Sequence, residues 1–279
     1  MSIDSITKST VDSLDGLKEV VLNSGEYSIT GTGLPYSFYF HRDNTSKKLI
    51  VMFPGAIPRG KKDIPDYQRI SWAKEISGNV LYLQDPTHFL DKSISIGWFQ
   101  GCETYNPLDE GVSIIKNVLK NLDVSTKDLF FFGSSAGGFS ALMFGGYFKH
   151  STLIVNNAQT NVLKYNEIHV KRFLKYGFNS IDYEKYTENY SHRIQPMLVY
   201  SAQKYVPNIH YYQNLADDTH YKNHTISFVD EVNSLKASIG SESIFKITFY
   251  FDAVTGHSPM PKQKTIRVLN KILAGGCND

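Results

Sequence analysis

The sequence predicts an α/β fold: a doubly wound, mostly parallel sheet with a cap insertion. Three observations predict it. Short, wholly apolar runs recur along the chain with helix-period segments between them, the pattern of buried parallel strands and their crossovers. One apolar run passes directly into a Gly/Ser turn and then a helix. One stretch, Asn161–Pro207, is too long for a plain connection and reads as a cap or lid. The 279 residues suit a single domain over 1–279 with 161–207 inserted.

Taken in order, the first twenty or so residues are polar and read as a loosely attached arm or short helix. Glu26–Thr30 and Tyr36–His41 form an antiparallel pair. Lys48–Phe53 (KLIVMF) is the first buried parallel strand, ending in Pro54-Gly55-Ala56. Asn79–Gln84 is the second. Asp109–Leu122 is a helix, because Val112, Ile115, Val118, Leu119 and Leu122 recur at helical spacing. Leu129–Phe132 is the third strand and Phe139–Phe148 the helix after it. Thr152–Val155 is the fourth strand and Asn208–Gln213 the fifth, although Gln195–Tyr205 (containing MLVY) also reads as a strand. Phe245–Phe251 is the last strand. Lys262–Leu273 is the final helix, stopping at Gly275-Gly276.

Composition narrows the function. Hydrophobic content of 41% against 20% charged gives a sizeable core. A net charge of +2 is too balanced for a nucleic-acid partner. No apolar run approaches the ~18 residues a transmembrane helix needs. The N-terminus lacks a basic n-region followed by an apolar h-region, so the expectation is a cytoplasmic protein. Cys102 and Cys277 are too far apart in sequence to suggest a disulfide framework. No dinucleotide or P-loop motif occurs. The sequence leaves a homo-oligomer open.

Gly133-Ser134-Ser135-Ala136-Gly137 matches G-x-S-x-G between a strand and a helix. That context marks a nucleophile elbow and specifies the α/β-hydrolase fold. The sharp turn lifts the Ser135 hydroxyl out of the sheet edge, and the N–H of Ala136 faces a developing oxyanion. The second oxyanion donor comes from the loop after the first parallel strand, where the Ala56 N–H is the choice. The fold's chain order of serine, acid, histidine makes His257 the base, since it alone of nine histidines follows the last strand. The acid follows the penultimate strand; Asp217 is preferred and Asp218 is the runner-up. Asp218, His220 and His224 have a spacing that suits a metal, but a polar loop and helix start explain them better, so no metal is expected. A Gly/Ser turn without chemistry, a surface-loop histidine and an ordinary turn at Gly55-Ala56 are the bland alternatives; order and context together outweigh them.

The flanking segments add a resemblance: WAKEISGNVLYLQDPT, GWFQG, GSSAGGF, NNAQT, YYQNLADDTHYKNH and GHSPMPK. From about Lys48 onward the chain resembles the α/β-hydrolase-fold polysaccharide O-acetyltransferases of bacterial capsule loci. The resemblance implies acetyl transfer from acetyl-CoA to a sugar hydroxyl, with Ser135, Asp217 and His257 as the triad and no bound cofactor. It also suggests that Trp98 and Phe99, in the Gly97–Gly101 segment, touch substrate from the active-site mouth; Gly55, in the loop after the first parallel strand, is a further substrate-binding candidate. An esterase would use the same triad, and a non-catalytic scaffold in glycan assembly is a third reading. Tyr165, Tyr176, Tyr183, Tyr186 and Tyr190 read as packing of cap on core before they read as sugar platforms. Lys171, Arg172 and Lys175 read as a solvated helix face.

Overall fold

Period-2 alternation inside the apolar runs gives each central strand two buried faces, and the chain covers both. The computed structural model describes residues 6–275. The strands are β1 (Lys8–Val11), β2 (Gly25–Ile29), β3 (Tyr36–His41), β4 (Leu49–Met52), β5 (Asn79–Leu83), β6 (Leu129–Ser134), β7 (Thr152–Asn156), β8 (Asn208–Asn214) and β9 (Phe245–Tyr250). They form one nine-stranded sheet in the order β1-β2-β3-β5-β4-β6-β7-β8-β9. Only β3 runs against its neighbours. Leu49 and Val51 of β4 join Phe131 of β6 in the core on one face. Ile50 and Met52 join Phe130 and Phe132 on the other, under Leu269 and Ile272.

The helices are α1 (Pro107–Leu122), α2 (Ala136–Gly145), α3 (Glu167–Gly177), α4 (Tyr183–Tyr190), α5 (Pro196–Gln203), the single turn α6 (Asp218–His220), α7 (Ile226–Ile239) and α8 (Lys262–Leu273). Asn106 caps α1 by accepting from the Leu108 N–H, and Pro107 occupies its first turn. No described helix is long and apolar enough to cross a membrane. Cys102 is a free thiol; Cys277, Gly276 and the first five residues lie outside the described part.

Several expectations need correction. The N-terminal arm is not loose: β1 pairs in parallel with β2, and Leu17 and Leu22 are buried. Four-residue β1 carries little apolar signal, so only its partner strand reveals it. Gln195–Tyr205 is not a strand, because Pro196 starts helix α5 there. Helix α2 begins at Ala136 rather than Phe139. All ten of its residues are buried, and its glycines serve close packing. The helix over 226–239 was not anticipated; only Phe228 and Val232 of it are fully buried, so its apolar stripe is narrow.

The chain reverses winding direction between β4 and β6, which are neighbours with Met52 beside Phe132. The loops leaving these two strands therefore open a crevice at the carboxyl edge of the sheet, where open α/β sheets bind ligands. Gly133 is the tightest point beneath it: a Cβ there would lie 2.0 Å from the Gly137 carbonyl oxygen. Gly55 is roomy by comparison, with its nearest atoms at 3.6 Å. Gly133→Ala should cost on the order of 3 kcal/mol by overpacking, and Gly55→Ala should change stability by less than about 1 kcal/mol. Urea unfolding of both variants checks this; equal losses would contradict it.

Candidate functional site

The elbow after β6 holds Ser135 at φ 54°, ψ −123°, a conformation that side chains other than glycine rarely adopt. It persists because the backbone is tied on both sides. The Ser135 N–H donates to the Asn156 carbonyl at 3.1 Å, and the Gln159 N–H donates to the Ser135 carbonyl at 3.2 Å. The strained turn points the hydroxyl into the crevice. There Ser135 Oγ lies 2.9 Å from His257 Nε2. His257 Nδ1 in turn lies 2.6 Å from Asp217 Oδ2. Residues far apart in sequence thus form one continuous hydrogen-bonded chain, each at the carboxyl end of a parallel strand: Ser135 after β6, Asp217 after β8, His257 after β9.

Of the two aspartates, Asp217 reaches His257. Asp218 points to solvent and pairs with Lys222 at 2.9 Å. The Asp217 side chain is only 5% exposed while that of His257 is 40% exposed, so the carboxylate is sequestered and the imidazole is reachable. The second oxygen of Asp217 accepts from His220 Nδ1 at 3.0 Å. The His220 ring stacks on that of His257, with centroids 3.9 Å apart and an interplanar angle of 16°. Burial alone would raise the Asp217 pKa, but the hydrogen bonds from His220 and His257 outweigh it and hold the carboxyl well below its usual range. Burial lowers His220 despite its bond to Asp217. It also takes His224 down to about 3, with the neighbouring His220 adding to the effect.

Asp217, His220 and His257 bring their ligand atoms within 4.8 Å of one another, close enough to converge on an ion. Binding one would withdraw Asp217 from the His257 Nδ1 that it orients.

The histidine loop is held by side-chain amides. Asn214 Nδ2 donates to the Asp252 and Gly256 carbonyls, both at 2.8 Å. Asn157 Nδ2 donates to the His257 carbonyl at 3.3 Å, and the Met260 N–H donates to Asn156 Oδ1 at 2.9 Å. On the opposite wall, Gln68 clamps the loop after β4. It accepts from the Gly55 N–H at 3.0 Å and donates to the Ala56 carbonyl at 2.9 Å. Ala136 begins helix α2, where its N–H is one of the first-turn donors without a helical acceptor. Sequence reasoning missed Gln68, Gln159 and the asparagines. The only signal for Gln159 and the asparagines is the run of amides at strand ends, NNAQT and YYQN, and Gln68 has none.

Trp98 and Phe99 do not line an open mouth; they are 2% and 3% exposed. Phe99 packs on Phe53 and Phe144 in the core. Trp98 packs on Tyr165 and Phe173, and its indole N–H bonds Gln159 beside the serine. The segment between β7 and β8 docks here: Tyr186 donates to Gln100, and Arg193 Nη1 donates to the Gln100 carbonyl at 2.8 Å. Tyr186 is fully buried against Phe173 and Phe178, whereas Tyr176 is exposed. Lys171 pairs with Glu167 on an exposed helix face. A cleft of about 450 Å³ lies beside His257, lined among others by Lys164, Tyr165, Asn166, Thr219 and His220.

No protein-family model matches the chain, and no curated protein matches its sequence. Solved structures do. The capsule O-acetyltransferase of Neisseria meningitidis serogroup A superposes with a TM-score of 0.59 at 20% identity, covering 87% of this chain and 95% of that one. A mutant of that enzyme in complex with CoA gives 0.63 at 18%, covering 86% and 95%. An esterase/lipase from an uncultured bacterium gives 0.55 at 12%, covering 94% and 89%. The fold is that of the α/β-hydrolases. At these identities the likeness extends to the fold.

The buried histidines set a pH dependence. Unfolded, His220 and His224 titrate near ~6.5; folded, both resist protonation, His224 down to about 3. The unfolded chain therefore binds more protons as the pH falls below about 6.5, and stability declines from there by roughly 1.4 kcal/mol per pH unit for each such group. Asp217 adds to the loss once the pH falls past the unfolded carboxyl value near ~4. His224→Asn keeps an acceptor for the Thr160 N–H, which now bonds His224 Nδ1 at 3.3 Å. Denaturant unfolding between pH 6.5 and 4 should show a slope shallower by about 1 kcal/mol per unit in this variant. An unchanged slope would contradict the buried neutral imidazole.

Proposed function

We propose that the chain is a serine O-acetyltransferase that moves the acetyl group of acetyl-CoA to a hydroxyl of a bacterial surface polysaccharide. The observation that carries this reading is the hydrogen-bonded chain Asp217–His257–Ser135 at the switch point of an α/β-hydrolase sheet. His257 Nε2 takes the hydroxyl proton as Ser135 Oγ attacks the thioester carbonyl. Asp217, which is only an acceptor when ionised, keeps the other proton on Nδ1 and stabilises the imidazolium. The N–H groups of Ala136 and Ala56 hold the oxyanion, the latter aimed by the Gln68 clamp. The thiol of CoA leaves with the proton from His257. A sugar hydroxyl then gives its proton to His257 and attacks acetyl-Ser135.

Residues 161–207, with α3, α4 and α5, serve as the cap that shelters this intermediate from water, and 1–279 as one domain. The cleft beside His257 takes the acceptor. Its Tyr165 ring and amide groups suit a sugar, whose hydroxyls need partners and whose ring faces stack. The likeness to a capsule O-acetyltransferase that has been solved with CoA supports the choice of donor. A cytoplasmic location fits this reading, because polymer built inside the cell would meet acetyl-CoA there. Hydrolysis by the same serine is the second reading, favoured by the esterase/lipase likeness. A bare scaffold would not need the Asp217–His257–Ser135 chain.

Two tests follow from the geometry. Asp217→Asn should lower turnover on the order of 10⁴-fold by stranding the imidazole in the wrong tautomer, while Asp218→Asn should stay within a few-fold; the reverse ranking in kinetic assays would move the acid. Purified protein incubated with acetyl-CoA, with and without capsular polysaccharide fragments, should release thiol in step with acetyl gained by the glycan. Ser135→Ala should abolish both by ~10³-fold or more. Rapid hydrolysis of simple acetyl esters with no acetyl reaching any glycan would leave the esterase reading.

A further inference from the structure

Gln159 leaves the end of β7, and its side chain is wholly buried against the nucleophile. Its carboxamide has two chemically different ends, and its neighbours decide which faces which. The Trp98 indole nitrogen only donates, so the atom bonded to it is the amide oxygen. The NH2 end therefore faces the serine, with Gln159 Nε2 3.2 Å from Ser135 Oγ. The same nitrogen lies 3.5 Å from His220 Nε2. His220 gives its one proton, on Nδ1, to Asp217 Oδ1, so its Nε2 carries a lone pair toward the amide. Ser135 Oγ spends its proton on His257 and accepts from Gln159. Every direction in the network agrees.

Strain is invested in this arrangement. Trp98 and Phe99 both have positive φ, at 51° and 54°, which bulky residues avoid. Asp85 holds them there, accepting from the Phe99 N–H at 2.9 Å. The consequence is a fixed indole that fixes the amide.

We propose that Gln159 is a further catalytic residue, whose amide N–H stabilises the charge that develops on Ser135 Oγ when that atom leaves the acetyl group. The inference rests on Ser135 being the acylated nucleophile, and it assigns a role distinct from the oxyanion hole, which serves the carbonyl oxygen. In the second half-reaction the acceptor oxygen attacks the acetyl carbon while its proton passes to His257 Nε2. The carbon–Oγ bond then breaks, its electron pair goes to Oγ, and the proton on His257 follows. An ester Oγ accepts weakly and a departing alkoxide strongly, so the bond from Gln159 strengthens toward this transition state. In the first half-reaction the order is reversed: the hydroxyl accepts well and the forming ester poorly. The attacking Oγ passes through the same charge but starts from a hydroxyl that already accepts well, so the donor favours deacylation more than acylation.

Stopped-flow kinetics with p-nitrophenyl acetate separate the halves, since the burst reports acylation and the steady state deacylation. Gln159→Met keeps the volume and removes the donor. Its burst should stay within about threefold of wild type while its steady-state rate falls roughly 10- to 100-fold, with acetyl-Ser135 accumulating by mass spectrometry. Trp98→Phe, which frees the amide to turn, should shift the same step by roughly 3- to 10-fold and decides the matter alone if the methionine variant does not fold. Equal slowing of both phases, or no change in either, overturns the role of Gln159 while leaving acetyl-Ser135 intact. Failure of the wild type to form any acetyl-Ser135 would sink the serine reading itself, and with it this one.

Discussion

A carboxylate shut away from water stays ionised only if something inside the protein replaces its hydration, at a penalty of several kcal/mol otherwise. At Asp217 two imidazoles do this, one on each oxygen. Much of the site follows from that bridge. His257 is oriented by it, His220 is held flat against His257 by it, and the lone pair that His220 presents to Gln159 is a consequence of it. The two rings stack face to face with centroids 3.9 Å apart. The carboxylate thus sets the orientation of both histidines by accepting from Nδ1 of each.

The bridge depends on the sheet. Parallel strands β6, β7, β8 and β9 lie side by side and end at one edge. Each contributes one polar group there: Ser135, Gln159, Asp217 and His257. Asparagines at the ends of β7 and β8 then tie the histidine loop down through its carbonyls, so a loop residue acquires the precision of a strand residue. The segment between β7 and β8 docks by a second polar lattice around Gln100 and Arg193, which leaves Trp98 buried beneath it. That segment and the site therefore share the indole of Trp98.

What the sequence made legible was what local patterning controls. The apolar runs of β4 to β7 stand out because both their faces are buried. The elbow stands out because glycines at 133 and 137 are demanded by contacts under 3 Å. Chain order singled out His257 and left both Asp217 and Asp218 as acids, with Asp217 preferred. Three kinds of feature stayed hidden. β1 is a strand only because β2 offers an edge. Trp98 and Phe99 read as a ligand platform because aromatic side chains look alike whether they face a sugar or a core. Gln68 and Gln159 owe their roles to partners between 12 and 61 residues away in sequence, beyond the reach of any local pattern.

The central claim is that Ser135 is a nucleophile activated by His257. Reaction with a fluorophosphonate probe tests it most directly, because such a reagent needs an activated serine and neither a donor nor an acceptor substrate. Labelled protein should carry one adduct, on the peptide containing Ser135, and His257→Ala should slow its formation by ~10³-fold or more. No adduct, an adduct on another residue, or a labelling rate indifferent to His257 would contradict the account.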